Sequence, residues 1–238
     1  MISRRNLRRA PLAVAIGLAI TTIAACGSDN EPPENGTVVL ADASASAEQS
    51  EMKNKAAEEF ASAVGRLTAP GKVTLMAFNT QVGSSPCEPV VASLPWDPNS
   101  TTVDDKKKEL VAQAPAAVAP YFECVETHTS VQGTDIIGGI AEAADVLRST
   151  PGDKAISLVT DGCNNSYGAN TCAIEVTDPA WRSARIEALP TEMKPDLTGV
   201  TLTITGLGRG ADINSAQVQG LKAFFREYAE ATHATYAG

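Results

Sequence analysis

The chain predicts an α/β fold: one doubly wound, mostly parallel sheet with helices on both faces. Two kinds of segment and their order point there. Short apolar, β-branched runs read as strands, and TVVLA (37–41) and AISLVT (155–160) are apolar enough to be buried on both faces. Longer segments with apolar residues at helical spacing lie between the runs, and strand–helix alternation of this kind builds a parallel sheet covered by helices. About 200 residues beyond the N-terminus, with no internal repeat and no second linker, suit a single domain with a full core.

The elements follow in chain order. After the strand at 37–41, residues 48–67 place Met52, Ala56, Phe60, Ala63, Val64 and Leu67 on one helical face, with Glu and Lys between them. Val73 to Phe78 reads as the second strand. Residues 84–99 carry Pro86, Pro89, Pro95 and Pro98 and read as irregular, with a short edge strand at 90–94. Thr102 and Asp105 form a capping box for a helix that ends before Pro115. Ile136, Ile140, Ala143 and Leu147 line one face of the next helix, and the strand at 155–160 follows it. Asp178-Pro179 is a cap residue with proline at the first helical position. A strand at 200–205, a helix at 214–231 burying Val218, Leu221, Phe225 and Tyr228, and a short strand at 234–236 complete the series.

The N-terminus reads differently. Arg4, Arg5, Arg8 and Arg9 precede a 14-residue, largely apolar run from Leu12 to Ala25, a basic and then apolar pattern that describes a secretory signal and is short for a membrane span. Ile23-Ala24-Ala25-Cys26 resembles the bacterial lipobox. That resemblance implies cleavage after residue 25 and a diacylglyceryl group on Cys26, and two acyl chains suffice for stable anchoring. Ser3-Arg4-Arg5 is only a weak match to a twin-arginine signal. The organisation expected is a signal peptide at 1–25, a lipidated cysteine with a polar, Pro/Gly-punctuated tether at 26–36, and a globular domain at 37–238, displayed from the cell membrane on the extracytoplasmic side.

Removing residues 1–25 takes four of the 19 basic residues and none of the 28 acidic ones, leaving a formal charge of −13. Such a surface repels phosphate backbones and anionic headgroups, so nucleic acid is excluded and the lipid alone would hold the protein to a membrane. Cys87, Cys124, Cys163 and Cys172 remain besides Cys26, an even number suited to an oxidising compartment. Three pairings are open. Cys87–Cys124 with Cys163–Cys172 is favoured, because the latter pair brackets the polar loop CNNSYGANTC. No C-x-x-C occurs and only His128 and His233 are present, so a zinc site is not expected.

Three separated segments supply oxygen ligands. In Asp42-Ala43-Ser44-Ala45-Ser46, alternate side chains of an extended stretch point the same way, so Asp42, Ser44 and Ser46 can converge. Thr134 stands just before a helix, and Asp161 leaves the end of a strand. Two carboxylates and three hydroxyls form a hard, all-oxygen set that favours Mg²⁺, with Mn²⁺ or Ca²⁺ as alternatives, over zinc or copper. Singly, each segment has a plainer meaning: a chance match in an Ala- and Ser-rich chain, a helix cap at Thr134-Asp135, a turn at Asp161-Gly162. Their order, each at the end of its element, argues for one site.

VVLADASAS, QGTDII and LVTDGCNN together resemble the three parts of the metal-ion-dependent adhesion site of von Willebrand factor type A domains, over roughly residue 37 to the C-terminus. The resemblance implies a Rossmann-like, mainly parallel sheet with one antiparallel edge strand and a metal at its C-terminal rim. Ser44, Ser46 and Thr134 would contribute hydroxyls, and Asp42 and Asp161 carboxylates, directly or through water. It implies a protein partner that offers an acidic side chain to the ion, and no enzymatic activity. Ala43, Ala45 and Ala47 depart from the family's first motif, without loss of a ligand oxygen. The short last strand puts a ligand-driven movement of the last helix in doubt. A bridge between Cys163 and Cys172 would staple the loop beside Asp161, either shaping partner choice or only stabilising a long loop.

Other functions fit less well. A phosphohydrolase using Asp42 as phosphoryl acceptor needs a second aspartate where Ser44 stands. Ser–His–Asp hydrolysis lacks a G-x-S-x-G motif, and His128 reads as a solvent-facing loop residue. Gly206 to Ala211 matches G-x-G-x-x-A only formally, in the last strand–helix unit, and the spacing of Gly65 to Lys72 fails for a phosphate-binding loop. A lipid-anchored small-solute-binding protein needs two lobes and an aromatic cleft, whereas Trp96 and Trp181 read as packing residues.

Overall fold

The structure is a computed structural model, and it describes residues 31–43, 49–78, 87–128 and 133–238. The expected signal segment, Cys26, Ser44 and Ser46 lie outside the described residues. β1 (Asn35–Asp42), β2 (Gly71–Phe78), β3 (Val90–Leu94), β4 (Lys154–Val159), β5 (Val200–Thr205) and β6 (Thr235–Tyr236) form one sheet in the order β3-β2-β1-β4-β5-β6. Every neighbouring pair is parallel except β2–β3, so the antiparallel strand is at the edge. This is the sheet that the resemblance implies.

Among the described residues five helices cover it: α1 (Gln49–Arg66), α2 (Ser100–His128), α3 (Ile136–Leu147), α4 (Pro179–Glu187) and α5 (Ser215–Ala231). β1 shows why a continuous apolar run belongs at the centre. Val38 and Leu40 enter the core shared with α3 and α5, while Val39 and Ala41 enter the core shared with α1 and α2. All six apolar residues read for α1 are buried. In α5 the buried face is Leu221, Phe224, Phe225 and Tyr228, with Val218 only half-buried. Trp181 packs beside Phe224 as a core residue should, but Trp96 is 38% exposed and is not a packing residue.

The helix at 100–128 differs most from expectation. It does not stop before Pro115; Pro115 and Pro120 lie inside it. Each proline removes one backbone donor, but both are exposed, so the carbonyls they leave unpaired face the solvent side. Ala114, Val118, Tyr121, Phe122 and Val125 meanwhile bury the opposite face, and tertiary packing carries the helix through. Nor is Thr102 its cap: Asn99 accepts the Thr101 N–H at 3.0 Å, and Asp105 pairs with Lys108 within the helix. The cap read at Asp178 follows the sequence, while Asn214, read as the first residue of the last helix, is its cap instead. Asp178 accepts from the Ala180 N–H, and Asn214 forms a capping box with Gln217.

Candidate functional site

β1 and β4 are neighbours, with Ala41 opposite Val159, so the next residues of both strands emerge together at the C-terminal edge of the sheet. Asp42 ends β1 and is 2% exposed; Asp161 follows β4 by two residues and is 1% exposed. Thr160, between them in register, donates from its hydroxyl to Asp42 Oδ2 at 2.7 Å. Thr160 Oγ1 in turn accepts the Gly162 N–H at 3.0 Å, so one buried threonine ties both strand ends.

The third segment arrives by way of the loop after Asp161. Thr134, buried at 2% exposure, is clasped by Asn165: its N–H donates to Asn165 Oδ1 at 2.8 Å and its carbonyl accepts the Asn165 N–H at 3.0 Å. Asn164 Oδ1 accepts the Ile136 N–H at the start of α3. Asp135 caps α3 through the Gly138 N–H and also accepts from the Ser166 and Tyr167 hydroxyls. Asp42, Thr134 and Asp161 therefore lie on three elements that are hydrogen-bonded to one another at one end of the sheet.

Two further devices shape the loop. Gly162 has φ +87°, and a Cβ there would stand 2.6 Å from Leu207, so only glycine makes this turn without strain. Gly208 donates its N–H to the Asp161 carbonyl at 2.7 Å, so the glycine-rich 206–210 segment serves to approach β4 closely. The Cys163–Cys172 disulfide, with Cα atoms 5.0 Å apart, closes the loop, and Thr171 Oγ1 bonds the Gly162 carbonyl inside it. Cys87 is joined to Cys124, the pairing favoured by sequence.

Burial is the main cause that raises the Asp161 carboxyl above its ordinary pKa. The Cys163 N–H bonded to its Oδ1 opposes that shift, and the negative charge of Asp42 adds to it. Two buried carboxylates close enough to disfavour each other's ionisation fit a divalent cation, whose charge offsets both. Asp161 forms no ion pair with a basic side chain among the described residues.

Sequence reasoning missed Thr160, Asn164, Asn165 and Ser166, which hold the segments in place. Their signal was present in the run VTDGCNNS: several short polar side chains directly after a buried strand serve the backbone more often than they serve solvent.

No protein-family model matches the chain, and no curated protein matches it. Among solved structures it is similar to an aerotolerance-related membrane protein from Bacteroides fragilis, at 16% identity and a TM-score of 0.38, covering 85% of this chain and 89% of that one. It is similar to the pilus adhesin SpaC from Lactobacillus rhamnosus GG at 12% identity and a TM-score of 0.45, covering 88% of this chain but only 28% of the adhesin. A von Willebrand factor type A structure from Catenulispora acidiphila is similar at 18% identity and a TM-score of 0.38, covering 84% of this chain and 43% of that one. In strand order, strand direction and helix placement, the chain has the architecture expected of a von Willebrand factor type A fold.

Proposed function

We propose that this chain is a protein-interaction module whose recognition site is a divalent cation. Asp42, Thr134 and Asp161 hold the ion, joined by Ser44 and Ser46 from the segment that follows β1. One observation carries the reading: two buried carboxylates, Asp42 at the end of β1 and Asp161 two residues past β4, stand at the same edge of adjacent parallel strands, with Thr160 bonded to Asp42. A buried pair of like charges with hydroxyl-bearing residues beside it is a poor choice for stability alone, and a good one for a hard cation.

Mg²⁺ is the first choice among hard cations, and two ionised carboxylates only balance its charge. The ion would keep the electrophilicity to accept an oxygen from a partner's acidic side chain. The module acts by binding and not by catalysis, and it works outside the cytoplasm, tethered through lipid on Cys26. Among the described residues no helix is long and apolar enough to cross a membrane.

The test is calorimetric titration of Mg²⁺ or Mn²⁺ into the wild type and Asp161→Ala. Specific binding in the wild type and none in the variant, with the fold retained by circular dichroism, is the expected result. Equal affinity in both would remove the site. Capture of envelope proteins with and without chelator then asks whether partner binding depends on the ion.

A further inference from the structure

A second cluster of ligand-type side chains stands apart from the oxygen site and is independent of the function proposed above. Cys124 and His128 are four residues apart on the last turns of α2, so the helix places them on one face. Cys87, buried at 6% exposure, meets them from the segment before β3. His128 Nδ1 is 3.8 Å from Cys124 Sγ and 4.0 Å from Cys87 Sγ. Among the described residues no other trio of His, Cys, Asp and Glu gathers its ligand atoms this closely. The second disulfide has no histidine beside it: His233 lies against Asp196.

We propose that reduction of the Cys87–Cys124 disulfide turns this corner into a binding site for a thiophilic divalent cation such as Zn²⁺ or Cd²⁺. While the disulfide is intact both sulfurs are spent on each other, and no soft-metal site exists. A dithiol reductant supplies two electrons and two protons and leaves as its own disulfide, so two free thiols result. The ion then binds two thiolates, releasing both thiol protons to solvent.

The geometry needs little rearrangement. A tetrahedral ion about 2.3 Å from sulfur and about 2.0 Å from nitrogen sets sulfur and nitrogen about 3.5 Å apart, within about half an ångström of the distances found. The two sulfurs must separate to about 3.8 Å, which rotation of the half-exposed Cys124 side chain can supply. His128 Nδ1 is 2.9 Å from the Cys124 carbonyl, where it donates in the disulfide form. Coordination replaces that hydrogen bond, and the proton moves to Nε2 through water, because His128 is exposed. The C-terminal end of α2 carries partial negative charge, which disfavours bare thiolates and favours a cation among them. Water takes the fourth position.

The experiment uses the full chain carrying Cys26→Ser, Cys163→Ser and Cys172→Ser, so that only the proposed thiols remain. It is titrated with Cd²⁺ before and after anaerobic reduction with a phosphine, and the cadmium–thiolate absorbance in the ultraviolet is followed. One equivalent should bind after reduction and none before, and His128→Ala should weaken binding by about tenfold or more. Circular dichroism of the reduced protein with Cd²⁺ should match that of the oxidised protein. An affinity unchanged by His128→Ala would overturn the proposal, since any pair of thiols would then serve. So would equal binding before reduction, no binding after it, or unfolding on reduction. Competition against a chromophoric chelator extends the same reading to Zn²⁺.

Discussion

Tyr121 shows how one buried side chain can carry both a structural and a titration effect. β3 pairs with β2 only as far as Leu75, and beyond it the Ala77 N–H donates to the Tyr121 hydroxyl at 2.7 Å. Burial pushes that phenol up to about 12, the Ala77 bond opposes the shift, and Glu142 adds to it. The sign follows from which state ionises first. Between pH 10 and 12 the unfolded phenol loses its proton while the folded one keeps it, so stability is full below pH 10 and falls as pH rises. The fall attributable to this residue is about 2–3 kcal/mol. Denaturant unfolding of the wild type and Tyr121→Phe across that range checks it: the variant should start about 1 kcal/mol less stable and lose less with pH. Parallel curves would assign the alkaline loss to other groups. Asp161 is a different case, because burial of its carboxylate is costly for the fold.

At the scale of elements, caps and clamps set the site more than helix propensity does. The start of α3 is held by Asp135, and a Cβ on Gly138 would collide with that carboxylate. Gly138→Ala should therefore cost about 1–2 kcal/mol through loss of the cap, whereas alanine in an ordinary helix position would stabilise. Because Asp135 also receives Ser166 and Tyr167, the variant should loosen the 164–167 loop and weaken metal binding, read by calorimetry beside thermal unfolding. A second clamp joins α4 to α5: Arg182 donates from Nε and Nη2 to Glu227 and from Nη1 to the Val176 and Thr177 carbonyls. Arg182 is 7% exposed, so Arg182→Ala strands the Glu227 carboxylate and should cost about 3 kcal/mol by denaturant unfolding, with metal affinity unchanged.

For the whole molecule, the two faces of the sheet are unequally covered. Val200, Leu202 and Ile204 of β5 are buried beneath α3–α5, while Thr201, Thr203 and Thr205 alternate onto the other face. Thr201 and Thr203 floor a cleft of about 690 Å³ beside α1, with Ser157, Glu59 and Arg66 on its walls. Helices thus cover both faces over β1 and β4 but, among the described residues, only one face of β5. The two disulfides act on the unfolded chain. Cys87–Cys124 closes 37 residues of sequence and Cys163–Cys172 nine, so removing the first should cost about 3–4 kcal/mol and removing the second about 2–3 kcal/mol in the chain-entropy account. Paired Cys→Ser variants in thermal unfolding give that order; a larger loss from the short loop would mean that the stapled loop supports the native sheet directly.

The sequence by itself determined the strands and most helices, because a strand covered on both faces must be apolar throughout and a helix on a sheet must be apolar on one stripe. It also placed Asp42 and Asp161 at one edge, since a parallel sheet brings the ends of β1 and β4 to the same side. Only the tertiary structure decided that α2 runs through Pro115 and Pro120, because packing of a distant face outweighs two missing backbone donors. It alone revealed Thr160 and Asn165 as the ties between segments, and His128 beside two sulfurs. Those relations join residues far apart in sequence or hidden within one loop, and hydrogen bonds between separate elements leave no periodicity along the chain to read.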